Sequence, residues 1–497
     1  MSEGEGGSVS VALETKFETI IGLEVHAQLL TRSKMFCGCS ADYAAAPPNT
    51  HVCPVCAGLP GALPVINRAA IEMCLLTGLA LNCKIPAFSK LDRKNYGYPD
   101  LPKGYQISQY DLPLCVDGYL EFESGGELRR VGITRVHIEE DTGRLLHRVS
   151  EDGLDVSLVD FNRSGVPLIE IVGEPDLRSP EEARDYLMAL RQILRYIGAS
   201  TGNMEEGAFR CDANISTRAA DGSIVGRKVE VKNMNSFRAV ERALRYEEHR
   251  QRELLAAGQE VSQETRGWVE ARGVTVSQRT KEQAHDYRYF PEPDLPPLAV
   301  PAEHVEELRA RLPEMPLARR DRFIERYGLS RSDATLLTAE RAVADFFEEV
   351  IGPDATPEAA KTAANWIVND LFALQRERGL PPETLPITAG QLRELIGLVG
   401  SEALTLRAAR ELLPQIEPNE SPRAAAERLN LLSLDDEAAL RHAVAETMEA
   451  FPAAVADYRK GKTAAIGRLI GETIKRTGGR ARPDIVRALL EEALRES

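Results

Sequence analysis

FETIIGLEVHAQL, from Phe17 to Leu29, is the stretch on which the fold turns. Read as an extended strand, it places Ile21, Leu23 and Val25 on one side and Glu24 and His26 on the other. One face can enter a core while the other presents an acid and an imidazole. Segments of similar build follow in VGITRVHIEED and VSLVDFNRSGVPLIEIV, rich in β-branched residues at strand spacing. Two helical patterns interrupt them. SPEEARDYLMALRQILRYIG begins with Ser179 as N-cap and Pro180 in the first turn, and SFRAVERALRYEEHRQRELLAAG follows downstream. So many alternating strands need a large sheet covered by helices, which predicts one α+β domain over residues 17–297.

Outside that block the composition changes. Residues 1–16 are rich in Gly and Glu, have no basic start leading into an apolar run, and read as a disordered tail rather than an export signal. FPEPDLPPLAVP, from Phe290, is a Pro-rich boundary. Beyond it Ala, Leu, Glu and Arg dominate, predicting an all-α domain over 298–420. A break at Pro418–Arg423 then opens a small α-helical tail domain over 421–497. No apolar run approaches the ~18 residues of a membrane helix. All eight Cys lie at or before Cys211 in a long chain, which points to the reducing cytoplasm.

The formal net charge of -15 argues against a protein that coats nucleic acid without selectivity. Local distribution reads differently. Lys475, Arg476, Arg480 and Arg482 cluster near the C-terminus as a candidate contact for an RNA backbone, with a solvated helix face as the other reading.

Three constellations carry possible chemistry. Cys37, Cys39, Cys53 and Cys56 form C-x-C and C-x-x-C pairs that can close a structural four-sulfur Zn²⁺ site, with His51 nearby as the poorer ligand and four unrelated buried thiols as the alternative. Glu24, His26, Glu140 and Asp212 combine carboxylates with an imidazole, a set suited to Mg²⁺; polar faces of half-buried strands are the alternative. In RVHIEED, alternation puts Glu140 with Val136 and Ile138, opposite His137 and Glu139, so a buried Glu140 would want a cation. Lastly, KLDRKNYGYPDLPKGYQISQYD interleaves Lys94 and Lys103 with Tyr96 and Tyr98, offering cations for phosphates and rings for an adenine; a Tyr- and Pro-rich surface loop is the other reading. The GKT at Gly461–Thr463 lacks the upstream Gly of a P-loop, so ATP chemistry here would need another scaffold.

IGLEVHAQL, THVCPVCAGLPGALPV, SKLDRKNYGYPDLPKGYQISQYD, ITRVHIEEDTGR, DFNRSGVPLIEIV, EEGAFRCDANIS, VEVKNMNSF and KEQAHDYRYFPEPDLPPL occur in that order. Together they resemble the signature blocks of the B subunits of glutamine-dependent amidotransferases, which convert misacylated Asp-tRNA or Glu-tRNA into Asn-tRNA or Gln-tRNA. The resemblance runs from about Phe17 to the C-terminus. It implies a glutamine-synthetase-like cradle that uses ATP to phosphorylate the side-chain carboxylate of the misacylated tRNA. Ammonia then arrives from a glutaminase A subunit, with a small C subunit completing the complex. It further implies that Glu24, His26, Glu140 and Asp212 hold Mg²⁺ and phosphates, that Lys94, Lys103 and Glu170 line the same pocket, and that the Cys quartet is structural. A non-catalytic zinc-containing tRNA scaffold and an ATP-dependent ligase for a free amino acid are the competing readings.

Overall fold

The computed structural model describes residues 17–150, 152–219, 226–278, 287–433 and 437–496. The tail expected over residues 1–16 and the KEQAHD part of one signature block lie outside them. The chain divides into two compact units, residues 1–315 and 316–497.

The first unit is built on an eight-stranded sheet. Its strands are β1 (Phe17–Gln28), β2 (Cys115–Ser124), β3 (Glu127–Glu140), β4 (Pro167–Gly173), β5 (Phe209–Ala219), β6 (Val229–Lys232), β7 (Thr265–Val269) and β8 (Val274–Ser277). Their order is β8-β7-β6-β5-β1-β4-β3-β2, antiparallel throughout except for the parallel β6–β7 pair. β1 therefore lies inside the sheet, hydrogen-bonded on both edges, and its alternation is that expected. Ile21, Leu23, Val25 and Ala27 are buried, whereas Glu24, His26 and Gln28 on the other face are half-buried.

Three helices cover the apolar face. They are α1 (Arg68–Ala80), α2 (Pro180–Tyr196) and α3 (Phe237–Ala256), whose Leu75, Leu187, Leu190, Val240 and Leu244 join Leu23, Val136, Ile138, Ile169, Ile171 and Ile215 in one core. Local chemistry starts the second and third: the Ser179 hydroxyl accepts from Glu182 N–H with Pro180 in the first turn, and Ser236 accepts from Ala239 N–H. Short strands Asp92–Asn95, Tyr105–Ser108 and Phe290–Pro291 form a separate three-stranded sheet. Arg93 pins it with a two-pronged bond to the buried Glu292, at 2.6 and 2.8 Å.

The Pro-rich segment after Phe290 does not end the first unit. Helix α4 (Ala302–Ala310) follows, and its Leu308 is buried in the same core as the sheet. In the second unit, one helical core runs from Phe323 to Leu431 and includes Ala425 and Ala426; a second gathers Leu440, Leu469, Val486 and Leu490. The helix Pro422–Arg428 thus packs with the preceding helical body, because its Ala stripe faces that core and not the tail. Among the described residues no helix is long and apolar enough to cross a membrane.

Leu23→Ala should lower unfolding free energy by about 2–5 kcal/mol, the usual cost of emptying a fully packed Leu site. Denaturant titration of the purified chain measures it, and a loss under about 1 kcal/mol would contradict the assigned strand face.

Candidate functional site

Cross-strand register assembles the polar face of the sheet. His137 on β3, Glu170 on β4, His26 on β1 and Arg210 on β5 are successive partners in one row. The next row holds Arg135, Val172, Glu24 and Asp212. Glu139 follows His137 at the next same-face position of β3. All of these side chains except Val172 floor a cavity of about 1050 Å³, whose lining also includes Lys94, Tyr96, Gln106, Tyr287 and Tyr289 together with Lys228, Glu230 and Lys232.

His26, Glu139 and Glu170 bring ligand atoms within 4.8 Å of one another. His26 Nε2 is 3.4 Å from Glu170 and 3.9 Å from Glu139, and His137 Nε2 is 3.3 Å from both carboxylates. Glu139 also accepts from Ser108 Oγ at 2.7 Å and Gln106 Nε2 at 3.0 Å, with Lys94 Nζ 3.8 Å away. Burial penalises every one of these charges. Lys94 and His137 nevertheless outweigh it at Glu139, which is held at about 2, and His137 and His26 take Glu170 well below the carboxylate range. In return, burial would depress His137, but Glu170 and Glu139 lift it to about 9; against the same burial, bonding and charge from Glu170 raise His26. The cluster is a compact array of two carboxylates and two imidazoles, each group shifted toward its charged form.

A second polar group lies along the row from Glu24. Lys232 Nζ bonds Asp212 at 2.6 Å and stands 3.6 Å from Glu230, while Asn214 donates to Glu24 at 3.0 Å. Arg210 is tied to the buried Asp141 at 2.9 Å. Acids and cations are interspersed across the cavity floor.

The structure separates residues that sequence reading grouped. Glu24, His26, Lys94, Tyr96, Glu170 and Asp212 all line the large cavity. Glu140 and Lys103 do not. Alternation turns Glu140 to the opposite face of β3, where it is buried, ion-paired with Lys103 and accepts Ile107 N–H at 2.9 Å. Both line a smaller cavity of about 220 Å³ beside the Cys loop. The cation that a buried Glu140 requires is thus Lys103. Tyr98 is 56% exposed and lies outside the large cavity's lining, its ring edge-on to Tyr96. Sequence reading passed over His137, Glu139, Tyr287 and Tyr289. The first two were signalled by the same alternation that turned Glu140 inward. Tyr287 and Tyr289 sit in the YRY that precedes the Pro-rich boundary and had no periodic cue.

The sulfurs of Cys37, Cys39, Cys53 and Cys56 also converge within 4.8 Å, and those of Cys53 and Cys56 are 3.8 Å apart. Tetrahedral Zn–S bonds of ~2.3 Å set sulfurs roughly 3.8 Å apart, so the quartet fits a closed Zn²⁺ site. Hydrogen bonding from Cys37 lowers Cys56 to about 4, with Lys34's charge assisting against burial, while burial lifts Cys39 to about 11. His51 stands apart from this set. Near the C-terminus, Arg476 is 3.6 Å from Glu446, Arg480 donates to Asn430 at 3.0 Å, and Arg482 pairs with Glu402 and Asp484. Lys475 is exposed at the end of helix Ala465–Arg476.

Divalent-metal binding at the His26–Glu139–Glu170 cluster should be proton-linked. Because ligation needs neutral His26 and its imidazolium is stabilised in the free protein, affinity should rise with pH through the neutral range and flatten above the imidazole's raised pKa. Mn²⁺ titration followed by electron paramagnetic resonance measures this. A pH-independent affinity would remove His26 from the ligand set.

Two family descriptions match the chain: GatB/GatE catalytic domain over residues 19–306 and GatB domain over residues 345–494. A protein of Thermomicrobium roseum, named as the B subunit of an aspartyl/glutamyl-tRNA(Asn/Gln) amidotransferase, is 61% identical over 482 residues, covering 97% of this chain and 99% of the relative. Identically named proteins of Roseiflexus castenholzii and Dehalococcoides mccartyi (strain CBDB1) are 54% and 51% identical, covering 95% and 97% of this chain and 98% and 100% of their own lengths. With both matches and near full-length coverage, the chain belongs to the family of aspartyl/glutamyl-tRNA(Asn/Gln) amidotransferase B subunits.

Proposed function

We propose that this protein activates the side-chain carboxylate of Asp or Glu on a misacylated tRNA with ATP and then converts it to the amide. Ammonia is supplied by a glutaminase partner, a small third subunit completes the assembly, and the β-sheet unit is a glutamine-synthetase-like cradle. The observation carrying this reading is the His26–Glu139–Glu170 cluster, with both carboxylates buried, on the floor of a cavity of about 1050 Å³. That volume exceeds what a nucleotide alone requires and leaves room for an aminoacyl end.

The chemistry demands charge management. A carboxylate expels oxide poorly, so one of its oxygens first attacks the γ-phosphorus of ATP and ADP departs. Ammonia then attacks the carbonyl carbon of the acyl phosphate, phosphate leaves, and a proton is lost. Glu139, Glu170 and His26 would hold a divalent cation, with Glu24 and Asp212 next to them along the floor; when bound, that ion offsets charge on the phosphoryl oxygens. Lys94, held cationic chiefly by Glu139 against its burial, stands where it can contact a phosphate. His137 bonds both cluster carboxylates and fixes their orientation. Tyr96 and Tyr287 close the wall beside Lys94, whose ammonium lies 5.1 Å from the Tyr287 ring centre, and so keep water from the acyl phosphate. Lys103 and Glu140 act from behind β3, bracing the strand end that presents Glu139.

The four-cysteine loop would carry structural Zn²⁺, and the basic C-terminal positions would meet the tRNA backbone. A pure scaffold would have no reason to bury two ionised carboxylates against imidazoles at the floor of a cavity. A ligase for a free amino acid would have no use for the basic end of the second unit.

Glu139→Gln or Glu170→Gln in the reconstituted complex should reduce ATP-dependent Asn-tRNA or Gln-tRNA formation by at least ~100-fold, since an electrostatic group acting on the transferring phosphoryl is removed. Filter binding of tRNA should be nearly unchanged; turnover within a few-fold of the unmodified protein would reject the cluster as the catalytic centre. Neutralising Lys475 and Arg476 together should weaken tRNA binding and flatten the log–log salt slope by roughly 0.7–0.9 for each phosphate no longer neutralised. An unchanged slope would take both residues off the RNA surface.

A further inference from the structure

Lys34 is fully buried, and among the described residues none of its hydrogen-bond partners is a carboxylate. Its ammonium donates to His51 O at 2.7 Å, to Phe161 O at 3.2 Å and to the Cys56 sulfur at 3.6 Å, which accounts for all three N–H donors. Glu140 lines the same small cavity but is already paired with Lys103. A buried ammonium against two neutral carbonyls and a neutral thiol would be uncompensated, and such a charge is costly. A dication bound by four thiolates has the opposite problem, with two net negative charges in a partly buried loop.

We propose that Lys34 is the counter-ion of the four-cysteine centre, an ammonium fixed against Cys56 that stabilises the thiolate quartet around Zn²⁺ and sets how tightly the metal is held. The proposal rests on the structural-zinc reading above. It also gives the metal loop a route to the catalytic sheet. The carbonyl of Phe161 that Lys34 grips opens the turn leading into β4, the strand of Glu170. Met35 N–H bonds Gly165 O at 2.7 Å and Ser164 Oγ bonds Cys56 O at 3.3 Å across the same junction. Lys34 thus positions the loop and the strand together.

The test uses full-length chain, with Lys34→Met and Lys34→Arg made both in the native sequence and in a background where Cys37, Cys39, Cys53 and Cys56 are all Ser. Zinc content, the rate of zinc loss to a chelator and the thermal midpoint are measured. The native chain should hold zinc, Lys34→Met should lose it about 10- to 100-fold more readily, the range typical of outer-shell partners, and Lys34→Arg should fall between. In the serine background, which has no thiolates to balance, Lys34→Met should raise the midpoint. Zinc retention that is indifferent to Lys34→Met, or a midpoint lowered equally in both backgrounds, would make Lys34 a carbonyl strut and overturn the proposal alone. A native chain that takes up no zinc would overturn the zinc reading and the proposal with it. If Lys34→Met does not accumulate in the native sequence, the sign of its effect in the serine background decides.

Discussion

Glu139 and Glu170 lie side by side in the interior of a sheet, and two neighbouring ionised carboxylates survive burial only where cations are fixed against them. Lys94, Arg135 and the imidazoles of His26 and His137 meet that need; register of the large sheet places Arg135 and the two His, and the separate three-stranded sheet brings Lys94. The requirement explains why β1 is central. An edge strand would leave His26 in water, where its imidazole could neither be held protonated nor hold a carboxylate down. Hydrogen bonding on both edges of β1, to β5 and β4, turns its polar face into the floor of a cavity. The apolar face anchors that arrangement through Leu23 and Val25 in the helix-covered core.

A cluster charged and paired before any ligand arrives is preorganised. Its carboxylates need not move or lose solvent when a cation enters, because Ser108, Gln106 and His137 already fix their oxygens. Under the proposed reading, a divalent cation entering here would take over the balancing of charge that the imidazoles now share. The same contacts that pair these side chains in the free protein would set the terms on which a metal could bind.

Much of this was legible in the sequence, and the limit has a physical cause. The alternation in FETIIGLEVHAQL fixed which side chains of β1 face the core, and the Cys spacing marked a loop whose sulfurs do converge. Parity in RVHIEED was also read correctly, since Glu140 does share the face of Val136 and Ile138. What parity did not give is that Glu140 stands apart from Glu24, His26 and Asp212, in a different cavity. Parity says which face a side chain takes but not which cation it meets there, and Lys103 comes from a different segment of the chain. The row His137–Glu170–His26 depends on how three strands pair across long stretches of sequence, and no local pattern encodes that. Domain edges behaved similarly. A Pro-rich segment signals that regular structure stops, yet Leu308 beyond it returns to the first core because an apolar helix face is buried wherever it fits.

Net charge, taken over the whole chain, points away from polyanionic ligands; the cavity points toward them. Lys94, Arg135, Arg210, Lys228 and Lys232 all reach a single space. Most of them are held by acids within the same space, as Lys232 is by Asp212 and Lys94 is by Glu139. An acidic protein can thus keep cations desolvated and positioned at low cost, since each has a local partner until a phosphate competes for it. Lysines on an open basic surface would be screened by salt and free to move, whereas a cation caged by carboxylates keeps its place and its charge. The excess of Asp and Glu is therefore compatible with the proposed binding of a nucleotide and an RNA terminus, and around this cavity it holds the cations in position.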